Sequence, residues 1–182
     1  MWYDRCTGRC GSGGWYPAPM ARPAHTMIEL SIPGREPVRG ECLVIDFNGT
    51  MAVDGMPKAG CLERLARLAE SVAVHVVTAD TFGSVTEHLR DAGFELVILP
   101  AGRQDEAKAA YARKLGLKTT VAVGNGANDA RMLREAALGI AVVQEEGAAA
   151  AAIQNADAVF THINDALDAL LSPDRLVATL RI

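Results

Sequence analysis

The chain has 182 residues, of which 49% are hydrophobic and 22% charged, and this is the size and composition of one globular domain rather than of a disordered tail or a membrane protein. Its formal net charge of −4 does not attract a phosphate backbone, so we expect no nucleic-acid partner. No run of 18 apolar residues occurs, and we therefore expect no membrane span.

Residues 1–26 differ in composition from the rest of the chain. They contain seven Gly and Pro residues and three Arg residues without apolar periodicity, which predicts a disordered N-terminal extension. They also lack the continuous apolar stretch of a secretory signal. We expect residues 27–182 to form a single domain, and Met27 is an alternative translation start.

The four cysteines do not indicate a disulfide framework. Cys42 opens an apolar run and Cys61 lies near the start of a predicted helix, so the predicted location is a reducing cytoplasm. Cys6 and Cys10 would supply only half of a zinc site, and no second Cys or His pair lies near them.

From Cys42 onward, short apolar runs alternate with apolar residues at helical spacing, which predicts an α/β fold with a parallel sheet covered on both faces. Strands are predicted over 42–47, 72–78, 94–99, 119–123, 138–143 and 157–160. Helices are predicted over 62–69, 85–92, 107–115, 132–136, 148–152 and 163–171, and Ser172 is predicted to cap a last helix that has Pro173 at its first position. Residues 28–32 and 37–39, on either side of a Pro-Gly turn, predict a short edge hairpin.

Polar residues follow three of the predicted strands, where an open α/β sheet binds its ligands. The first strand ends in Asp46-Phe47-Asn48-Gly49-Thr50, the second in Thr78-Ala79-Asp80, and the fourth in Gly124-Asn125-Gly126-Ala127-Asn128-Asp129. Lys108 lies early on the helix before the fourth strand. This is what phosphoryl transfer through an aspartyl phosphate needs, because the Asp would attack, Mg²⁺ and the Lys would neutralise the phosphate, and the Thr would hold a phosphate oxygen.

These segments, in this order and each tied to a strand end, resemble the four motifs of the haloacid dehalogenase (HAD) superfamily of phosphohydrolases, over roughly Ile28 to the C-terminus. Thr-Ala-Asp at 78–80, the loop at 124–130 and the run Ala-Leu-Gly-Ile-Ala-Val at 137–142 are similar to the phosphorylation domain of P-type cation ATPases, and a small soluble P-type-ATPase-like family is the nearest match. The resemblance implies a HAD-like, Rossmann-like three-layer sandwich with a mainly parallel sheet.

The resemblance also implies roles for single residues. Asp46 would be the nucleophile, Thr78 the phosphate-binding hydroxyl and Lys108 the charge-neutralising lysine, with Asn48 at the position of the catalytic acid and base. The implied phosphate contacts are Asp46, Asn48, Gly49, Thr78, Ala79 and Lys108, and the implied Mg²⁺ ligands are Asp46, the Asn48 backbone carbonyl, Asn125 and Asp129.

Two departures from the family pattern matter. Phosphatases of the superfamily usually carry an Asp two residues after the nucleophile, and the Asn48 amide cannot take a proton as that Asp does. Transport ATPases have Thr there, which resembles a design in which the phosphoenzyme persists. Asn125 stands where the family has a metal-binding Asp, which leaves Asp129 as a more distant or substitute ligand.

The motifs are only about 30 residues apart, which leaves no room for an inserted cap domain, so we expect a site that is open or closed by another subunit of a homo-oligomer. We expect a slow Mg²⁺-dependent phosphohydrolase that acts on a small phosphorylated substrate or a phosphorylated macromolecule. The alternative is a catalytically weak or inactive regulatory module that binds a phosphorylated ligand or partner. A dinucleotide site is disfavoured, because Asp129 replaces the third glycine of that turn and would repel a pyrophosphate.

Overall fold

The structure is a computed structural model, and it describes residues 27–79, 85, 89, 93–100 and 102–182. The predicted disordered extension at 1–26 lies outside the described residues. The strands are β1 (Ile28–Leu30), β2 (Val38–Gly40), β3 (Cys42–Asp46), β4 (Ala52–Val53), β5 (Met56–Pro57), β6 (Ala73–Thr78), β7 (Glu95–Ile98), β8 (Thr120–Gly124), β9 (Leu138–Val142) and β10 (Ala158–Phe160). The helices are α1 (Cys61–Ala69), α2 (Gln104–Leu115), α3 (Ala130–Glu135), α4 (Ala150–Gln154), α5 (Ile163–Leu171) and α6 (Asp174–Leu180).

Six strands form one sheet in the order β10-β9-β8-β3-β6-β7, and every neighbouring pair is parallel. The strand β3 lies near the middle, between β8 and β6. All residues of β6, β8 and β9 are buried, as expected for parallel strands with both faces covered. Parallel pairing brings the carboxyl ends of β3, β6, β8 and β9 to one edge of the sheet.

Helices cover both faces of this sheet. Along β3, the side chains of Leu43 and Ile45 belong to one core cluster and that of Val44 to the other, because successive strand residues point to opposite faces. The first cluster contains residues of α1, α5 and α6, and the second contains residues of α2, α3 and α4. The predicted three-layer α/β sandwich with a parallel sheet is therefore confirmed.

The N-terminal hairpin forms, but the prediction that it lies at the edge of the main sheet is wrong. The strands β1 and β2 pair only with each other, in an antiparallel two-stranded sheet. Ile28, Leu30 and Ile32 are at most 5% exposed and join the first core cluster. Burial of these three apolar side chains, rather than sheet pairing, therefore holds the hairpin against the domain.

A second hairpin, β4–β5, follows β3 and was not predicted. Its two-residue turn is Asp54-Gly55, with φ of 50° and 78°, which is the backbone that a type I′ hairpin turn requires. The Asp-Gly pair was the sequence signal for this hairpin. Within the described residues, the hairpin and α1 are the only elements between β3 and β6, so no cap domain is inserted there.

Other boundaries of the described elements shift by one or a few residues, and most of the helix predicted over 85–92 lies outside the described residues. Thr119 ends a 3₁₀ turn, so β8 begins at Thr120. The last helix begins at Asp174, and the backbone carbonyl of Ser172, not its hydroxyl, accepts the Arg175 N–H at 3.0 Å. In the part of the chain that the structure describes, no helix has both the length and the apolar character that crossing a membrane requires.

Candidate active site

The predicted site residues meet at the carboxyl edge of the sheet. Asp46 ends β3, Thr78 ends β6, and Lys108 reaches the same place from the second turn of α2. A cavity of about 320 Å³ opens there. Its described walls are formed by Asp46, Asn48, Thr78, Ala79, Gln104, Lys108, Asn125, Gly126, Asn128 and Glu146. Gly49 and Asp129 are not among these wall residues, and Asp80 lies outside the described part of the chain.

Lys108 lies between two carboxylates. Its Nζ is 2.6 Å from Asp46 Oδ1 and 2.6 Å from Asp129 Oδ1, and only 2% of its side chain is exposed. A buried lysine is stable only when its charge is paired and hydrogen-bonded, and here two acids share one cation. With both acids ionised, this group of three carries one negative charge.

Burial and the neighbouring charges shift the pKa values of Lys108 and Asp46. Burial lowers the pKa of Lys108, but the Asp46 and Asp129 carboxylates raise it more, so the pKa is raised and the ammonium stays charged. Burial and the neighbouring Asp129 carboxylate raise the pKa of Asp46 to about 7, against the lowering effect of Lys108. Like charges that share a buried site shift pKa values in this direction.

Asp129 organises the loop after β8. Its Oδ2 accepts the backbone N–H groups of Asn125 at 3.0 Å and Gly126 at 2.8 Å, while its Oδ1 accepts from Lys108. Gly124 leaves space for this carboxylate, because a Cβ there would lie 2.5 Å from Asp129 Cγ. Both carboxylate oxygens of Asp129 are therefore engaged by the protein.

Thr50 connects Asp46 to the loop after β8. Its buried hydroxyl lies 3.2 Å from Asp46 Oδ2 and 3.0 Å from Asn125 Oδ1. The Asn125 Nδ2 donates to the Gly147 carbonyl at 3.1 Å, which turns Oδ1 toward Thr50. The sequence predicted Thr50 only as part of the turn after β3, because its partner Asn125 lies 75 residues away along the chain.

Gly49 is required by close approach. Its φ is 75°, and a Cβ at this position would lie 2.4 Å from the Asn125 Nδ2. Its N–H donates to the Ala52 carbonyl at 2.8 Å, so this amide is already used inside the β4–β5 hairpin. A phosphate contact from Gly49 stays a prediction.

The oxygens of the site suit a divalent cation. Asp46 Oδ2 and Asn125 Oδ1 are close to each other because both lie within hydrogen-bond distance of the Thr50 hydroxyl, and Asn48 lies on the same cavity wall. The described residues contain no group of three His, Cys, Asp or Glu side chains placed for a metal. Mg²⁺ can be coordinated by one carboxylate together with neutral oxygens and water molecules.

Four cavity residues were not predicted as site residues: Gln104, Gly126, Asn128 and Glu146. Asn128 Nδ2 donates to Gln104 Oε1 at 3.0 Å and so ties the loop to the first residue of α2. Glu146 follows β9, and its Oε1 accepts the Asp54 N–H at 3.3 Å. The signal for Glu146 was its position after a strand end, the same rule that selected Asp46 and Thr78.

No protein-family model matches the chain, but two proteins of Methanocaldococcus jannaschii are similar in sequence. The uncharacterized protein MJ0073 is 50% identical over 64 residues, which are 35% of this chain and 69% of that protein. The uncharacterized protein MJ0072 is 44% identical over 39 residues, which are 21% of this chain and 89% of that protein.

Solved structures of phosphatases share the fold at low sequence identity. The 3-deoxy-D-manno-octulosonate 8-phosphate phosphatase of Moraxella catarrhalis, solved with magnesium, phosphate and KDO, gives a TM-score of 0.57 at 15% identity over 78% of this chain and 94% of that chain. The cobalt-bound enzyme of Haemophilus influenzae gives 0.56 at 14% identity, over 73% and 88% of the two chains. A phosphoserine phosphatase in its apo form gives 0.59 at 18% identity, over 71% and 98%.

The comparison of structures identifies the fold of the chain, and the comparison of sequences identifies its family. The structural matches are far below the identity at which activity can be inferred, but they confirm the predicted HAD-like fold. The sequence matches are close and cover most of two short archaeal proteins. The chain belongs to one family with the uncharacterized proteins MJ0073 and MJ0072, and it has the fold of the HAD superfamily phosphatases.

Proposed function

We propose that this protein is a Mg²⁺-dependent phosphohydrolase that acts through an aspartyl phosphate on Asp46. The observation that carries the proposal is the contact of 2.6 Å between Asp46 and the buried Lys108, at the strand end where the fold binds ligands. A carboxylate with a lysine at this distance, inside a cavity, is suited to attack a phosphorus atom whose oxygens the lysine neutralises.

In this mechanism the residues around the cavity have separate tasks. Asp46 attacks the phosphorus atom, and the bond from phosphorus to the leaving oxygen breaks. Lys108 stabilises the negative charge on the phosphoryl oxygens, and the Thr78 hydroxyl donates to one of them. Asp129 keeps Lys108 in place and holds the loop after β8, so its predicted contact with the metal would be indirect.

A bound Mg²⁺ would supply further positive charge at the transferring phosphoryl group. The residues that would hold it are Asp46, the Asn48 backbone carbonyl and Asn125. Asn125 contributes a neutral oxygen where a carboxylate is expected, so we expect the affinity for Mg²⁺ to be weak.

The substrate class follows from the size of the cavity. About 320 Å³ is at the lower end of ligand pockets in proteins, which suits a small phosphorylated compound or a phosphorylated side chain of a macromolecule. A cytoplasmic location is part of the proposal, and the free thiol of the buried Cys61 supports it.

Phosphate release from an aryl phosphate with and without Mg²⁺ tests the proposed function. Asp46→Asn is the informative variant, because it removes the nucleophile but keeps the size of the side chain. We expect release by the wild-type protein in the presence of Mg²⁺ and none by the variant. Equal release by both proteins would assign the activity to another site or to a contaminant.

A second candidate function is a regulatory module that binds a phosphorylated ligand without turning it over. The neutral side chains of Asn48 and Asn125 favour it, because each stands where a catalytic carboxylate is expected. Phosphate binding by the wild-type protein with no label on Asp46 and no release of product would support this alternative.

A further inference from the structure

Only three of the described residues that line the cavity are ionisable: Asp46, Lys108 and Glu146. Asp46 and Lys108 are bonded to each other at 2.6 Å. Asn48, at the position where a proton acceptor is expected, is an amide. Among the described residues, Glu146 is therefore the remaining carboxylate that can take a proton inside this cavity.

The surroundings of Glu146 leave it available to a water molecule. It lies in the loop that joins β9 to α4 and is exposed. Its Oε1 accepts the Asp54 N–H at 3.3 Å, in the turn of the β4–β5 hairpin. Among the residues that the structure describes, Oε2 has no hydrogen-bond partner. One oxygen is thus held by the hairpin while the other is open to solvent.

We propose that Glu146 is the general base for breakdown of the aspartyl phosphate. In this step a water oxygen attacks the phosphorus atom, the bond between phosphorus and the Asp46 oxygen breaks, and its electron pair returns to the Asp46 carboxylate. The Glu146 carboxylate takes one proton from the attacking water and later releases it to bulk solvent. The inference rests on the proposed function and adds the group that completes turnover.

The neighbouring Glu145 serves as a matched control that tests whether the role of Glu146 is purely structural. Glu145 also contacts the segment around the β4–β5 hairpin, because its carboxylate accepts from Lys58 Nζ, in the residue after β5, at 2.5 and 2.7 Å. Glu145 does not line the cavity in the described structure. If Glu145 and Glu146 only stabilised the hairpin segment, removing the charge of either one would have a similar effect on catalysis.

The experiment follows the lifetime of the phosphoenzyme. The full chain is incubated with a radiolabelled acyl phosphate and Mg²⁺ and then chased with unlabelled reagent, and the label left on Asp46 is counted after acid quench. Glu146→Gln is compared with Glu145→Gln and with the wild-type protein. Gln keeps an oxygen that can accept the Asp54 N–H, so the hairpin contact remains and only the base is lost.

We expect label to form on Glu146→Gln at a rate within about twofold of the wild type but to disappear at least roughly tenfold more slowly, the lower part of the range for a general base. Glu145→Gln should behave as the wild type. Adding Asn48→Asp to Glu146→Gln should restore fast loss of label, because a carboxylate then returns to the cavity.

Equal lifetimes in Glu146→Gln and wild type, or an equally long lifetime in Glu145→Gln, would overturn the assignment of Glu146 while leaving the proposed function intact. Failure of the wild-type protein to form any label, with no phosphate release, would overturn the proposed function and this inference together.

Discussion

At the scale of single residues, the contact of the buried Lys108 with two carboxylates has a large energetic consequence. A buried charge that loses its partner costs about 3–5 kcal/mol. The pKa of Asp46 is already raised to about 7, above its ordinary value of 3.8, so Asp46 favours the folded state when protonated and this contribution is lost as the pH rises through 7. Lys108 opposes that loss by pairing with the ionised form.

The variant Lys108→Met tests whether Lys108 stabilises the folded protein by pairing with the ionised Asp46. We expect it to lower the free energy of unfolding by about 3–5 kcal/mol at pH 8 and by less at pH 5, where Asp46 is protonated in both proteins. Urea unfolding at the two pH values measures the difference. Lys114→Met, an exposed position on the same helix, should change stability by less than about 0.5 kcal/mol. A loss in Lys108→Met that does not depend on pH would contradict the argument.

In the proposed mechanism, Asn48 slows breakdown of the phosphoenzyme, because it leaves Glu146 without a second carboxylate at the usual acid and base position. Formation of the aspartyl phosphate needs Asp46, Lys108 and bound Mg²⁺, none of which depends on a proton acceptor two residues along the chain. Attack by water is helped by a base, and a positioned base contributes about 10² to 10⁴ in rate. We therefore expect wild-type protein to retain measurable label, and Asn48→Asp to speed hydrolysis by at least roughly tenfold. Absence of label in the wild type together with no gain in the variant would favour the binding module.

In the proposed site, Asn125 is the neutral ligand that we expect to weaken the affinity for Mg²⁺. Its Nδ2 donates to the Gly147 carbonyl at 3.1 Å, so Asn125→Asp replaces that donor with an acceptor and adds a negative charge beside Asp46. Without metal we expect a lower melting temperature than in the wild type, and with Mg²⁺ we expect tighter binding and recovery of the melting temperature. Calorimetric titration measures the affinity directly. Unchanged or weaker binding would remove Asn125 from the metal ligands.

At the scale of elements, Gln144 joins three segments behind the site. It follows β9, and its Nε2 donates to the carbonyls of Thr50 at 2.7 Å and Gly49 at 3.3 Å. Its Oε1 accepts the N–H of Ile163, the first residue of α5, at 2.8 Å. One side chain thus satisfies the turn that carries Thr50 and a free N–H at a helix start, where the helix supplies no partner.

Gln144→Ala leaves these backbone groups without that partner. We expect it to lower the free energy of unfolding by about 1–3 kcal/mol, as measured by urea unfolding, and to weaken phosphate release because the turn after Asp46 loses its support. Gln154→Ala, at an exposed position in α4, is the control and should be close to neutral. A Gln144→Ala protein as stable as the control would show that water replaces these contacts without cost.

At the scale of the whole molecule, the predictable features are those that depend on local sequence. The apolar runs of β3, β6, β8 and β9 were found because buried parallel strands are apolar on both faces. Asp46 and Thr78 were found because the fold gathers strand ends at one edge, and Lys108 was found from its place in the order of the motifs. The features that were missed depend on contacts between distant segments.

The hairpin β4–β5 and the contacts of Glu146 show why contacts between distant segments could not be predicted. Asp54-Gly55 is a local turn signal, but its contact with Glu146 spans 92 residues. The hydrogen bond from Lys108 to Asp129 likewise depends on how α2 packs beside the loop after β8. Sequence spacing gives the order of strand ends but not the direction in which a loop side chain points.

The core of the molecule also predicts where the chain can be shortened. The sequence of residues 1–26 has no apolar periodicity, whereas Ile28, Leu30 and Ile32 are all at most 5% exposed and complete the core on one side of the sheet. Full burial of such a side chain contributes about 1.5–3 kcal/mol. We therefore expect a chain that begins at Met27 to melt within a few degrees of the full chain and to keep its phosphate release.

A chain that begins at Pro33 loses all three side chains and should unfold at a much lower temperature or fail to fold. Thermal unfolding of the three proteins side by side measures this, and a large fall for the chain that begins at Met27 would show that residues 1–26 pack against the domain.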